Sequence, residues 1–340
     1  MVIHKSIQDP MKALQVTQPR IFQQVEVSTP YLDSGQAERI LVRTCWVSMC
    51  GSDIPFFTGS KRFRTYPLPA GAPIHECVGQ VVESTSKNFH PGDTVIAIPD
   101  GNQGLAEYFV TQPARAICLP EQISGRDASC LIQPLSTVLN AVDRLGDVAG
   151  KSVAVIGLGS IGLLFCWLFK KRGATHILGI DPIVERCQAA EKFGASETIP
   201  ARSLEVVHSS RQIPGVWAAP DICVEAVGHQ METLNDCLEL VKKQGTVLAF
   251  GVPDQPVYAI EYETFFRKNA QLIAAVTPEW RTYLTKALEI FIQEQEQLEG
   301  LVTHRFPIWS AQQAFTLYEN HAQGVLKVIL DVADWQKNTG

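Results

Sequence analysis

No two of the nine cysteines are spaced as CxxC, and an odd number scattered from Cys45 to Cys237 makes no disulfide framework. Positive charge is also short: 29 lysines and arginines stand against 35 aspartates and glutamates. The resulting net charge of -6 gives no overall field to hold nucleic acid or an anionic membrane. The opening MVIHKSIQDPMKALQV has no apolar core of signal-peptide length. Internal repeats, low-complexity tracts and Ser/Gly linkers are missing as well. What these absences leave is a soluble chain expected in a reducing cytoplasm, acting on a small molecule, with no nucleic-acid or membrane partner. At 340 residues and 46% hydrophobic, it is long enough for two cores.

One apolar run approaches the length of a membrane span, Ser152 to Phe169, SVAVIGLGSIGLLFCWLF. Gly157, Gly159 and Gly162 break it into a short strand and a helix that ends at Lys170, Lys171 and Arg172, so a buried strand-turn-helix unit is expected. Before it, from Met11 to about Gln112, short β-branched runs (KALQV, RILVRTCWV, CVGQVVES, DTVIAI, AEYFV) predict a β-rich, barrel-like domain. After Lys151, strands alternate with helices: SVAVIG, a helix over 161–172, HILGID, a helix over 184–193, DICVEAVG, a helix over 231–242, then GTVLAFG. That alternation predicts an α/β domain built on a doubly wound parallel sheet. LTKALEIFIQEQEQLEG predicts a helix leaving this domain, and THRFP and VLKVILDV a return to the first. The expected boundaries are 1–145, 146–288 and 289–340, with structured joints near 140–150 and 285–295. A cleft between the domains is the expected site.

Gly157-Leu158-Gly159-Ser160-Ile161-Gly162 follows a predicted strand and opens a predicted helix, the context in which GxGxxG binds a dinucleotide. The first glycine permits the tight turn, the second lets backbone approach the pyrophosphate, and the third lets helix pack on strand. N–H groups at the helix start, around Ser160 and Ile161, face the anion. Nineteen residues after Gly162, Asp181 ends the next strand, where a carboxylate can accept from ribose hydroxyls and repel a 2'-phosphate. NAD is therefore expected over NADP, with Arg186 the neighbouring feature that opposes it.

The first domain carries Cys50-Gly51-Ser52-Asp53 and, twenty-five residues after Cys50, His75-Glu76. Thiolate, imidazole and carboxylate are zinc ligand types. On composition alone, a buried thiol and a hydrogen-bonded histidine fit the same residues.

Taken together, MKAL, CGSD, the HE pair, HPGDTV, LAEYFV, the PLS segment at 134–136, VIGLGSIG, VEAVG and THRFP resemble the zinc-dependent medium-chain dehydrogenase/reductases, the alcohol, sorbitol and threonine dehydrogenase group. The resemblance implies a Rossmann domain plus a GroES-like barrel catalytic domain, with NAD(H) and one catalytic zinc as cofactors. It implies that Cys50 and His75 are ligands and that Glu76 ligates zinc directly or sits just behind it. Asp53 would fix the His75 tautomer, and Ser52 would take the substrate proton and relay it. Thr137 would pack on the nicotinamide, and Lys327 would contact the pyrophosphate.

Departures from the family pattern are informative. Gln133, in Gln133-Pro134-Leu135, stands where the family places Cys, Glu or Asp, and is a weak ligand. Zn2+ with the Cys50 thiolate, His75 and Glu76 sums to zero charge, whereas Gln133 in place of Glu76 leaves +1, so Glu76 is the expected third ligand. Gln133 would then hydrogen-bond the water or substrate in the fourth position. Pro55 replaces the histidine that ends the relay in alcohol dehydrogenases. No cysteine lies between Cys77 and Cys118, so a structural zinc and its lobe are expected to be absent.

The implied reaction is hydride transfer between NAD(H) and a secondary alcohol or ketone, of the polyol, sugar or hydroxylated-metabolite class, in a homodimer or homotetramer. Its rivals are a zinc-independent quinone or enoyl reductase and a non-catalytic NAD(H) binder. Lys61-Arg62-Phe63-Arg64 could attract an anionic substrate group. Phe56, Phe57, Tyr66 and Trp280 could line an apolar wall, or simply pack.

Overall fold

A computed structural model describes residues 10–33, 37–60, 65–212, 218–333 and 335. Along the chain run β1 (Pro10–Gln18), β2 (Ile21–Ser28), β3 (Ile40–Ser48), β4 (Glu76–Ser84), β5 (Thr94–Ala97), β6 (Tyr108–Thr111) and β7 (Ala116–Cys118). Then come β8 (Ser152–Ile156), β9 (His176–Ile180), β10 (Glu197–Ile199), β11 (Ile222–Glu225), β12 (Thr246–Ala249) and β13 (Gln271–Ala274). The last two strands are β14 (Val302–Pro307) and β15 (Lys327–Asp331).

Two compact units result, one of Met1–Ser136 with Glu279–Gly340, the other of Thr137–Pro278. Both divisions fall earlier in the chain than the expected 145/146 and 288/289. The first lies inside the helix Ile132–Leu145, and the second just before the helix Trp280–Glu299. The latter helix, expected to leave the second unit, packs in the first, against β7 and the turns Pro113–Arg115 and Asp127–Leu131. Its buried Leu284, Ala287, Phe291 and Leu298 make the face that does so.

In the first unit β1 and β2 form an antiparallel hairpin, tied to the rest by an Ala13–Ala106 bridge and by backbone bonds such as Leu14 N–H to the Leu105 carbonyl and Leu68 N–H to the Val16 carbonyl. The larger sheet runs β14-β15-β3-β4-β5-β7, with β6 also on β3. One edge of β3 is shared: Ile40–Arg43 pairs with β6 and Trp46–Ser48 with β15. Register shifts between β3 and β4 at Leu41/Val42 and Thr44/Trp46 bend the strand enough for this. Consequently the C-terminal end of β3 lies between the starts of β4 and β15, with Ser48 opposite Glu76 on one side and Ile329 on the other.

The second unit is a six-stranded parallel sheet in the order β10-β9-β8-β11-β12-β13. Central β8 is buried from Val153 to Ile156, as a strand covered on both faces must be. The run over Ser152–Phe169 is thus a strand, a turn and the helix Ser160–Lys171. Among the described residues no helix is long and apolar enough to cross a membrane.

At the start of this sheet, Asp221 Oδ2 accepts from the Ser152 N–H and Oγ, both at 2.7 Å, and Lys242 Nζ pairs with Oδ1. Burial alone would raise the Asp221 pKa, but these partners outweigh it and lower it from 3.8 to about 2. A depressed folded-state value means stabilisation that is complete above the unfolded pKa near 4 and lost as pH falls through about 2. Asp221→Asn should therefore destabilise this unit by about 1 kcal/mol at pH 7, the carboxylate being partly exposed. Urea midpoints at pH 7 and pH 2.5 check this: the gap between wild type and variant should shrink at the lower pH, and a constant gap would contradict it.

Candidate metal and dinucleotide sites

Cys50 leaves the end of β3 as the N-cap of the short 3-10 turn Gly51–Asp53. Buried Asp53 turns back on it, Oδ2 accepting from the Cys50 N–H at 2.8 Å while the Asp53 N–H donates to the Cys50 carbonyl at 3.0 Å. The other carboxylate oxygen lies 3.1 Å from His75 Nδ1. The approach is off the line of an ideal hydrogen bond, and no other acceptor meets that nitrogen. Nε2 is left as the ring's donor toward an ion. His75 sits immediately before β4, whose first residue is Glu76.

Cys50, His75 and Glu76 each present one donor atom, all within 4.8 Å of one another. Among the described residues this is the group of Cys, His, Asp and Glu close enough to share an ion. Burial would by itself lower the His75 pKa, but Asp53 and the Cys50 thiol outweigh it and hold the imidazole well above its ordinary value. The pocket thus favours positive charge, and its donors are those a zinc ion takes. Cys77 and Cys130 offer no alternative. Burial, with Glu76 adding to it, pushes both thiols well above their ordinary pKa, so they stay protonated and packed.

Two expectations change at Glu76. Lys327, expected at the pyrophosphate, is fully buried at the start of β15, and its ammonium donates to Glu76 Oε1 at 3.0 Å, Glu76 Oε2 at 2.8 Å and the Met49 carbonyl at 2.9 Å. An ammonium with three acceptors has no proton left for a phosphate. Burial alone would lower the Lys327 pKa, and Glu76 and Cys50 raise it instead, keeping the side chain charged. Ser48 Oγ also donates to Glu76 Oε2. Glu76 is therefore within reach of the same ion as Cys50 and His75, but its charge is already paired, which the neutral sum of thiolate, carboxylate and Zn2+ left out. Ser48 has no signature in the sequence. Its role follows only from the register that sets it opposite Glu76.

Ser52 lies half-buried in the turn between Cys50 and Asp53, and Pro55 is buried in the helix Ile54–Thr58 that follows. Gln133 is buried near the start of the helix Ile132–Leu145, its carbonyl accepting from Ser136 Oγ at 2.6 Å. Thr137, half-buried, follows on the same helix in the second unit. Phe57 is a core residue, ringed by Phe22 and Phe315 at centroid distances of 5.3 and 5.0 Å, so it lines no substrate wall. Tyr66 packs with Phe56, its hydroxyl donating to the Phe56 carbonyl at 2.6 Å. Lys61 to Arg64 lie outside the described residues. Where a structural zinc lobe would be inserted, the chain makes the short turn Asp100–Asn102, and the Gly104 N–H donates to the Ile74 carbonyl at 3.0 Å.

In the second unit each glycine of the loop has its own reason. Gly157 has φ +93°, and a Cβ there would come 2.7 Å from Val227 Cγ2. Gly159, the N-cap of the helix Ser160–Lys171, has open space where a Cβ would be, the surface over which a ligand can approach backbone. A Cβ on Gly162 would overlap the Gly157 carbonyl oxygen and lie 2.9 Å from its carbon. Turn, approach and packing are thus distributed as a pyrophosphate-binding loop requires.

Asp181, just past β9, is buried and braces this loop, Oδ2 accepting from the Leu158 N–H at 2.8 Å and Oδ1 from the Ile183 N–H at 2.9 Å. Arg186 Nη1 lies 3.6 Å from Oδ2. Glu225, in the VEAVG segment, is a further buried carboxylate, the last residue of β11. Its Oε1 accepts from the Val227 and Gly228 N–H groups and from Thr233 Oγ1, at 2.9 to 3.0 Å. The sequence signal was the acid ending an otherwise apolar strand.

Comparison with known proteins agrees with both units. Residues 36–126 match the alcohol dehydrogenase GroES-like domain and residues 160–293 the zinc-binding dehydrogenase family, together about two thirds of the chain. The chain is 24% identical to the L-threonine 3-dehydrogenase of Caldanaerobacter subterraneus subsp. tengcongensis, covering 82% of this chain and 88% of that one. It is 23% identical to the sorbitol dehydrogenase of Bacillus subtilis, covering 90% and 94%. The solved alcohol dehydrogenase from Thermus sp. ATN1 superposes with a TM-score of 0.81 at 25% identity, over 95% of this chain and all of that one. With a GroES-like unit, a Rossmann unit and their two motif sets in one chain, the protein belongs to the zinc-dependent medium-chain dehydrogenase/reductases.

Proposed function

We propose that this protein is a zinc-dependent oxidoreductase exchanging a hydride between NAD(H) and a secondary alcohol or its ketone, of the polyol, sugar or hydroxylated-metabolite class. The observation that carries this reading is the convergence of the Cys50, His75 and Glu76 donor atoms within 4.8 Å. A dinucleotide-type glycine loop in the other unit supports it, and the sorbitol dehydrogenase name of one relative supports a polyol. The reading includes a single zinc per chain, no structural zinc, and assembly as a homodimer or homotetramer. Nine unpaired cysteines suit a reducing cytoplasm.

In this reading Cys50 and His75 hold the zinc, with Asp53 fixing the imidazole so that Nε2 faces it. When bound, zinc supplies a Lewis acid for the substrate oxygen and the nicotinamide supplies the hydride acceptor. Ser52 Oγ accepts the proton of the substrate hydroxyl and passes it on. Pro55 has no group to carry that proton further, so it leaves through water. The Gln133 amide hydrogen-bonds the substrate or a water beside it. Backbone N–H groups of Gly159, Ser160, Ile161 and Gly162, at the helix N-terminus, hold the pyrophosphate. Thr137 packs on the nicotinamide.

Asp181 selects NAD in this scheme, since its carboxylate keeps acceptor capacity beyond its two backbone bonds and repels a 2'-phosphate. Asp181→Ala should raise the NAD Michaelis constant and narrow the preference over NADP at least about tenfold, some 1.4 kcal/mol. Ratios of kcat/KM for the two cofactors test this, and an unchanged ratio would place ribose recognition elsewhere. The function itself is tested by NAD-linked turnover on secondary alcohols and polyols. Turnover that a chelator abolishes and zinc restores is expected, and chelator-resistant turnover would refute the metal role.

A further inference from the structure

Lys327 and Glu76 lie 251 residues apart and are both fully buried. A buried ion pair costs several kcal/mol of desolvation per ion, and an apolar pair of similar volume is often as stable or more so. Stability alone therefore does not account for it. Its location supplies a reason. All three ammonium protons are committed, two of them to the carboxylate that shares a pocket with Cys50 and His75. Ser48 Oγ adds a third bond to that carboxylate, from the neighbouring strand β3. A divalent ion held by the Cys50 thiolate and neutral His75 carries a net +1. Free Glu76 would cancel that charge and take a coordination place, whereas Glu76 paired with Lys327 contributes no net charge.

We infer that Lys327 is a positioning residue for the metal centre: with Ser48 it holds Glu76 behind Cys50 and His75, off the ion, so that the coordination place Glu76 would take and one unit of positive charge remain for a substrate oxygen or water. The inference rests on the zinc-site reading above, and it assigns Lys327 to this task instead of the cofactor.

The test is cobalt(II) titration of metal-depleted full-length protein, followed by its thiolate charge-transfer and visible d–d bands. Wild type should bind with a thiolate band, and absence of that band would overturn the metal site itself, a different failure from those that follow. Lys327→Met should free Glu76 to join the ion, so cobalt binds at least about tenfold tighter and the visible bands shift. Lys327→Arg should restore wild-type affinity and spectrum. A folded Lys327→Met protein with unchanged or weaker affinity and an unshifted spectrum would leave Lys327 a merely structural residue and overturn the inference.

Since that variant leaves a buried carboxylate unpaired and can fail to fold, the double variant Lys327→Met/Glu76→Gln carries the test independently. It removes both charges, keeps the net charge of the centre, and should bind cobalt within about threefold of wild type. Weakening of tenfold or more would mean that Glu76 is already a ligand, and the inference would fall.

Discussion

Cys50→Ser should abolish zinc binding and cut turnover by more than about 100-fold while leaving NADH binding intact. Loss of an outer partner of a metal ligand already costs 10- to 100-fold, and loss of the ligand itself must cost more. A serine hydroxyl is not ionised at neutral pH, so the pocket would keep one imidazole and a carboxylate bound to Lys327 and Ser48. The local backbone has no reason to change. Asp53 grips the Cys50 backbone N–H and carbonyl, and neither bond uses the thiol. The comparison is metal content, NAD-linked turnover and NADH fluorescence titration on the same preparation. Wild-type turnover in the serine variant would end the metal mechanism, and loss of NADH binding as well would point to misfolding.

Gly162→Ala has the opposite signature, loss of NADH affinity with metal content preserved. The added methyl meets backbone that no rotamer change can clear, since it overlaps the Gly157 carbonyl. Overpacking of this kind costs about 1–3 kcal/mol, and more where main chain must move. Relief requires the Gly157–Gly159 turn to shift, and Asp181 is bonded to that turn through the Leu158 N–H. NADH affinity should fall about 100-fold, close to 2.7 kcal/mol. Gly159→Ala is the informative companion, because its Cβ enters open space. It should leave the thermal midpoint near wild type while weakening NADH, as expected if that space is where the cofactor lies. Unchanged NADH binding in both variants would remove the pyrophosphate from this loop.

The glycine loop was legible in the sequence because all three of its reasons are local: a turn, an open approach and a helix seat within six residues. The alternation after Lys151 was legible for a similar cause, since a strand buried on both faces and the helix after it each carry their own periodicity. Cys50, Asp53, His75 and Glu76 were also found, but the state of Glu76 was not. Its partner Lys327 lies on a strand brought alongside only by the β15-β3-β4 register, and no spacing encodes a pairing over 251 residues. Charge counting on Cys50, His75 and Glu76 alone therefore gave a neutral centre, while the family resemblance sent Lys327 to the cofactor. The unit boundaries were hidden for a related reason. The chain passes from one unit to the other within a continuous helix, where nothing in the composition changes at Ser136. The sequence left Phe57 open between a substrate wall and plain packing, and only the meeting with Phe22 and Phe315 places it in the core.

Zinc per chain, measured by elemental analysis on protein purified without added metal and alongside NADH binding, tests the central claim most directly. About one zinc per chain with stoichiometric NADH binding, and no zinc in the Cys50→Ser protein, is the predicted result. NADH binding without metal in the wild-type protein would contradict it and favour a zinc-independent reductase or a non-catalytic binder.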